Sequence, residues 1–342
     1  MRSRFLTSSV GAAGALLALS AAPAADAYHF LETDTPAGNV VNLHWSSANF
    51  PVRYYVNDRQ PLDFNLQDEL DGLAASFQTW QDVDTATITF QLAGTTDAEP
   101  FVFFDGKSTL GFLSDPDLEG TGILGATLQV INTFTGEIVE ADTLFSNFFV
   151  WSVNPAGEPN TFDFVSVATH EIGHFCGLDH SLVGVVQTTG FRRRPVPGSA
   201  IMYPYSFGPG TVTGRTLTAD DEAAISLLYP ESSFTRSTGK LSGKITKGGN
   251  GLAFAHVVAF NPFTGETIGA FADESGNYSI EGLRPGPQVV RVSPITDPAA
   301  PSDFGFSEAG IDLDWSDTLY TNGRAEVVAG GDAKGVDVEV KP

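Results

Sequence analysis

The chain has 342 residues, a hydrophobic fraction of 42% and a formal net charge of −23. That length and apolar content suffice for two domains with cores of their own, while the acidity argues against nucleic acid and anionic lipid as partners. A single cysteine leaves no internal disulfide, so an exported fold has to rest on its packed core, with metal ions as an optional further support.

The N-terminus begins with Arg2 and Arg4, continues through an apolar run over residues 5–22 and reaches Ala25-Asp26-Ala27. This is the pattern of a signal peptide spanning residues 1–27, with a mature chain starting at Tyr28. No later segment approaches the ~20 apolar residues of a membrane span. The mature protein is therefore expected to carry no membrane span and to be secreted and extracellular, with periplasmic retention as the alternative. Residues 28–48 form a short N-terminal segment.

Residues 49–230 carry mixed signals. Residues 52–58 and 86–92 have the alternation of strands, residues 66–83 the periodicity of an amphipathic helix, and further extended runs fall at 101–104, 124–131 and 140–145. Two more helices are expected at 163–176 and 218–228, completing an α+β pattern. Residues 231–240 are polar and look like a linker. From 241 to 342 short alternating segments are punctuated by turns at Gly248-Gly249-Asn250-Gly251, Thr264-Gly265, Ser275-Gly276-Asn277 and Arg284-Pro285-Gly286, the texture of an all-β sandwich.

Three of the six histidines and the only cysteine crowd into "ATHEIGHFCGLDHS", residues 168–181. On a helix starting near Asp163 and leaving at Gly177, Phe164, Ala168, Ile172 and Phe175 share one face and Cys176 joins that apolar stripe. His170 and His174, four apart, are neighbours on another face, and His180 can return to the same point after Gly177. Three neutral imidazoles with an open fourth position are what one catalytic Zn2+ requires. Glu171 then stands where it can take a proton from metal-bound water and pass it to a leaving amine. H-E-x-x-H-x-x-G-x-x-H also calls for a downstream Met-turn, and "SAIMYP" supplies Met202.

These residues resemble the metzincin metallopeptidases and, among them, the matrixins. "HEIGHFCGLDHS" is similar to the matrixin zinc segment, including Asp179 and Ser181 on either side of His180, and "IMYP" to its Met-turn. "SFQTWQDVDTATITF" resembles the first helix and following strand, and "RTLTADDEAAISLLYP" the final helix. The resemblance covers residues 49–230 and implies a twisted mixed sheet with three main helices. It further implies that an extended peptide lies antiparallel to an edge strand, here "ILGATLQV", with Leu124, Gly125 and Ala126 nearest the metal, and that Pro204 and Tyr205 wall the pocket beyond the cut bond. Proline two residues after Met202 replaces the tyrosine ligand of other metzincins. No cysteine precedes the motif, so the propeptide-cysteine latency of many matrixins has no counterpart here. The absence of histidine between His44 and His170 argues against the second, structural zinc of animal members. The basic run 192–194 is a solvated loop, a specificity loop or a processing site.

The C-terminal region resembles the transthyretin-like or carboxypeptidase-regulatory-like sandwich, with Tyr278, Leu283 and His256 as structural residues. Such domains are accessory, and a surface polymer or a partner are its candidate ligands. Ca2+ is a second candidate ion, at the acidic stretches 114–122 and 140–147. The expected function is a secreted zinc endopeptidase acting on protein or peptide substrates. The alternatives are a secreted binding or adhesion protein with an inactive peptidase-like domain, and a non-peptidase zinc hydrolase.

Overall fold

The computed structural model describes residues 28–342 except positions 115, 185, 190–191, 196–198, 297–298 and 308–309, with backbone alone for the two strands between 186 and 195. The expected signal peptide and the side chains of the basic run 192–194 lie outside the described residues. Up to residue 230 the order is β1 (Glu32–Asp34), β2 (Val40–Asn42), β3 (His44–Trp45), β4 (Val52–Asn57), α1 (Leu66–Gln81), β5 (Phe90–Thr96), β6 (Thr109–Leu113), β7 (Gly125–Asn132) and β8 (Glu137–Ser146), then β9 (Trp151–Ser152), β10 (Phe162–Asp163), α2 (Phe164–Phe175), β11 (Val186–Thr189), β12 (Arg192–Pro195) and α3 (Ala219–Leu228). The main sheet runs β5-β4-β6-β8-β3 with parallel pairing, and β7 adds to β8 antiparallel. Among the described residues β7 pairs with β8 alone, so its outer edge is an edge of the sheet.

Helix α1 is set by its cap and its stripe. The Asn65 side chain accepts from the Asp68 N–H, and Leu73, Phe77 and Trp80 are buried at helical spacing. Across from it, Phe164, Ala168, Ile172 and Phe175 of α2 are all fully buried. The two helices lie close enough for Trp80 Nε1 to donate to the Thr169 carbonyl at 2.8 Å and Ser76 Oγ to that of Val165 at 3.1 Å. No helix among the described residues is long and apolar enough to cross a membrane.

Two expectations shift. The strand expected at 86–92 forms instead at Phe90–Thr96, because Ala86 bridges Pro230 and the Thr87 N–H donates to the Tyr229 carbonyl. The aromatic run 101–104 is not extended: Phe101 and Phe104 take φ of 73° and 65°. Their N–H groups, with those of Gly106 and Thr109, donate to the carboxylates of Asp142 and Glu140. Those contacts compensate a backbone conformation that costs about 1–3 kcal/mol per residue.

Residues 28–45 belong to the same core, which includes Tyr28, Phe30, Leu43 and Trp45. They clamp the end of α2, where Trp45 Nε1 donates to the Phe175 carbonyl and the Leu31 N–H to that of Gly177. The polar stretch after 230 is not free either. Its one apolar residue, Phe234, is buried in a single turn, α4 (Phe234–Ser237).

The C-terminal part comprises β13 (Gly239–Lys247), β14 (Asn250–Gly251), β15 (His256–Phe260), β16 (Thr267–Phe271), β17 (Asn277–Leu283), β18 (Gly286–Ser293), β19 (Thr318–Leu319), β20 (Ala325–Val327), β21 (Asp332–Ala333) and β22 (Val338–Val340). They form two five-stranded sheets, one centred on β13 and one on β15 and β18, enclosing Leu241, Ile245, Val257, Ile280 and Val292. Tyr278 and Leu283 are buried in this core, and the Tyr278 hydroxyl donates to the Val336 carbonyl.

Glu69 is fully buried on α1, where one carboxyl oxygen accepts from Gln60 and the other has no hydrogen-bond partner among the described residues. Burial raises its pKa to about 8, against the pull of the Gln60 bond. A carboxyl whose folded pKa is raised favours folding at low pH, and that contribution is lost as pH climbs from about 4.5 toward 8. Glu69→Gln should therefore match the wild type near pH 5 and exceed it increasingly toward pH 8, by on the order of a few kcal/mol. Melting curves of both proteins across that range would show the divergence.

Candidate active site

Asp163 starts the helix that carries the histidines. Its carboxylate accepts from the Ser166 N–H and hydroxyl and pairs with Arg215. The helix stops because Gly177 turns away with φ 101° at a point where a Cβ would meet the Leu43 carbonyl at 2.3 Å, so only glycine fits. His180 is thereby brought back over His170 and His174.

Each imidazole is held through Nδ1. His170 donates to the Ile201 carbonyl at 2.7 Å, His174 to that of Leu178 at 2.8 Å and His180 to that of Asp303 at 2.7 Å. These bonds fix the tautomer that leaves the Nε2 lone pairs pointing inward. Nε2 of His174 lies 3.1 Å from that of His170 and 3.3 Å from that of His180. Because all three Nδ1 atoms carry the proton, these are lone pairs facing one another rather than hydrogen bonds. Two nitrogens bound to one tetrahedral zinc at 2.0–2.1 Å stand about 3.3 Å apart, so the donor set fits that ion. Burial, with the neighbouring imidazoles, pushes His170 well below its ordinary value and His174 to about 4. Neutral rings are the form a metal needs.

Glu171 is buried beside the triad, and one carboxylate oxygen accepts from Thr127 Oγ1 at 2.9 Å. Burial raises its pKa to about 8, partly offset by that bond. Gly125 lies directly against it: a Cβ there would stand 2.9 Å from Glu171 Oε1. Met202 is fully buried under the helix, where a Cβ on Gly173 would fall 2.2 Å from its sulfur. The Met-turn is fixed by Asp221, whose carboxylate accepts the N–H groups of Ile201 and Met202. Asp179 is buried 3.0 Å from His29 Nδ1. Burial alone would raise its pKa, but the His29 interaction outweighs that and holds it at about 2.

A matrixin family model matches residues 44–230, more than half of the chain. The chain belongs to the matrixin family. A carboxypeptidase regulatory-like domain model matches residues 240–301. The hatching enzyme of Paracentrotus lividus is 28% identical over 207 residues, 58% of this chain and 28% of that protein. Karilysin of Tannerella forsythia is 38% identical over 79 residues, 23% of this chain and 12% of that protein. The chain thus spans less than a third of the length of either relative.

Within the matrixin unit, Gly125 and Ala126 begin β7 and Leu124 immediately precedes it, on the sheet edge beside Glu171. Pro204 and Tyr205 follow the Met-turn, and the Tyr205 hydroxyl donates to Asp303. Cys176 is a free, fully buried thiol that burial pushes well above its ordinary range. His256 is buried and lowered to about 3, chiefly by burial. Of the calcium candidates, Glu140 and Asp142 turn their oxygens to main-chain N–H groups, and among the described residues the ligand atoms that group are those of the three histidines. No sequence motif points to Thr127, Asp221 or Asp303. Thr127 lies in the expected edge strand and Asp221 in the expected last helix, but Asp303 has no local signal, being 123 residues from His180.

Gly173→Ala is expected to overpack the contact with Met202 and Trp80 and to cost about 1–3 kcal/mol. A chemical denaturation series should show a lower midpoint at unchanged m value.

Proposed function

We propose that the chain is a zinc-dependent endopeptidase, exported and acting on extended protein or peptide substrates. The observation that carries this reading is the convergence of three imidazole Nε2 atoms, those of buried His174 and His180 and of half-buried His170, with a buried carboxylate next to an open sheet edge. His170, His174 and His180 would hold the ion and Met202 would support it from below. When bound, zinc supplies Lewis acidity, which polarises a carbonyl and acidifies a water.

The chain's own groups account for the rest. A substrate strand pairs antiparallel with the outer edge of β7 near Leu124, Gly125 and Ala126, so main-chain hydrogen bonds hold it in register. The missing side chain at Gly125 lets Glu171 lie against that edge. Thr127 holds Oε2 of Glu171, which leaves Oε1 to take the proton of the attacking water and deliver it to the leaving nitrogen. Pro204 and Tyr205 flank the space for the residue after the cut bond. A binding protein with an inactive peptidase-like unit is the second reading; an intact triad and glutamate favour the enzyme.

Purified protein incubated with a mixed peptide library should cleave it. Cleavage should fall by about 10²–10⁴-fold in Glu171→Ala, stop with chelator and return with added zinc. Stoichiometric zinc without cleavage by the wild type would instead support the binding-protein reading.

A further inference from the structure

The sandwich reaches the proposed metal site. A single turn of 3-10 helix at Pro301–Phe304, in the long connection after β18, places the Asp303 carbonyl 2.7 Å from His180 Nδ1. The Asp303 side chain fixes that turn, because its Oδ2 accepts the Ala300 N–H at 2.8 Å and the Tyr205 hydroxyl at 3.1 Å. Phe304 is fully buried in a cluster with Phe271, Ile295 and Phe306, and Leu182 and Tyr205 of the matrixin unit pack on it.

A second contact stands on the other side of His180. Asp220 of α3 accepts from Ser181 Oγ at 2.6 Å and from the Gly269 N–H of β16 at 2.8 Å, so one buried carboxylate joins the residue after His180 to the sandwich. The strand comes this near because Gly269 has no side chain: a Cβ would lie 2.5 Å from Val183 Cγ2 and 2.8 Å from His256 Nε2.

We infer that Asp303 is a positioning residue for the third metal ligand, and that the sandwich, docked through Gly269 and the Phe304 turn, is a built-in part of the zinc site and of the wall carrying Tyr205. His170 and His174 take their acceptors from the matrixin unit; His180 takes its acceptor from the C-terminal domain. Undocking the sandwich frees the one ligand that does not lie on α2, so zinc retention becomes a property of both domains together. This inference rests on the zinc reading proposed above.

The test is zinc release from the full chain to a chromogenic chelator, followed in wild type, Asp303→Ala, Asp303→Asn and Gly269→Val. Asparagine keeps an oxygen that can accept both bonds made by Oδ2, so Asp303→Asn should stay close to wild type. Asp303→Ala and Gly269→Val should release zinc about 10–100-fold faster, whereas Phe263→Ala, at an exposed hairpin position, should not. In 15N-labelled zinc protein, the Nδ1–H of His180 should exchange faster with water in Asp303→Ala while those of His170 and His174 stay unchanged, a selectivity that general destabilisation would not give. Wild-type release rates and an unmoved His180 signal in both Asp303→Ala and Gly269→Val would overturn the inference and leave the zinc reading standing. A wild type that binds no zinc would overturn both.

Discussion

Three hydrogen bonds from imidazole Nδ1 to main-chain carbonyls determine what this chain can do. They come from three separate places: the Met-turn through Ile201, the turn after the helix through Leu178, and the sandwich through Asp303. Each sets one ring's tautomer and its rotation, and together they bring three Nε2 lone pairs to one point. Placing three unprotonated nitrogens face to face in a buried site is unfavourable unless a cation joins them. The rest of the fold supplies the rigidity that holds them there.

That rigidity begins with packing. The apolar face of α2 seats on α1 and the sheet, and Trp80 and Ser76 of α1 reach its carbonyls. Gly173 brings Met202 to the helix, while Asp221 fixes the Met-turn carbonyl used by His170. Asp163 anchors the start of the helix and Gly177 ends it. The N-terminal segment closes over this end through His29, which pairs with Asp179 next to His180. A single misplaced group in this set would shift a ligand, and sub-ångström placement is what metal sites and catalysis depend on.

The helix, the Met-turn and the two-domain order are legible in the sequence because their signals are local. Spacing of four puts His170 beside His174, Gly177 marks the exit, and Phe164 to Phe175 carry the stripe. Glu171 is legible for the same reason. Two kinds of information are not local. The run 101–104 has strand-forming residues, yet buried acids from β8 draw its N–H groups into positive-φ turns, so tertiary contacts override propensity. The partner of His180 is a backbone carbonyl, which no side-chain pattern can advertise, presented by a domain that its family resemblance marks as accessory. The polar stretch after residue 230 misleads in the same way, since one phenylalanine in it is enough to anchor a turn.

The claim on which the rest stands is that three histidine nitrogens bind one zinc ion and leave a position open. X-ray absorption at the zinc edge of protein loaded with one equivalent reads this directly. Three imidazole shells at about 2.0–2.1 Å with one further light atom are the expected result. A sulfur shell near 2.3 Å, which would mean ligation by Cys176, or a six-coordinate oxygen shell, would contradict it.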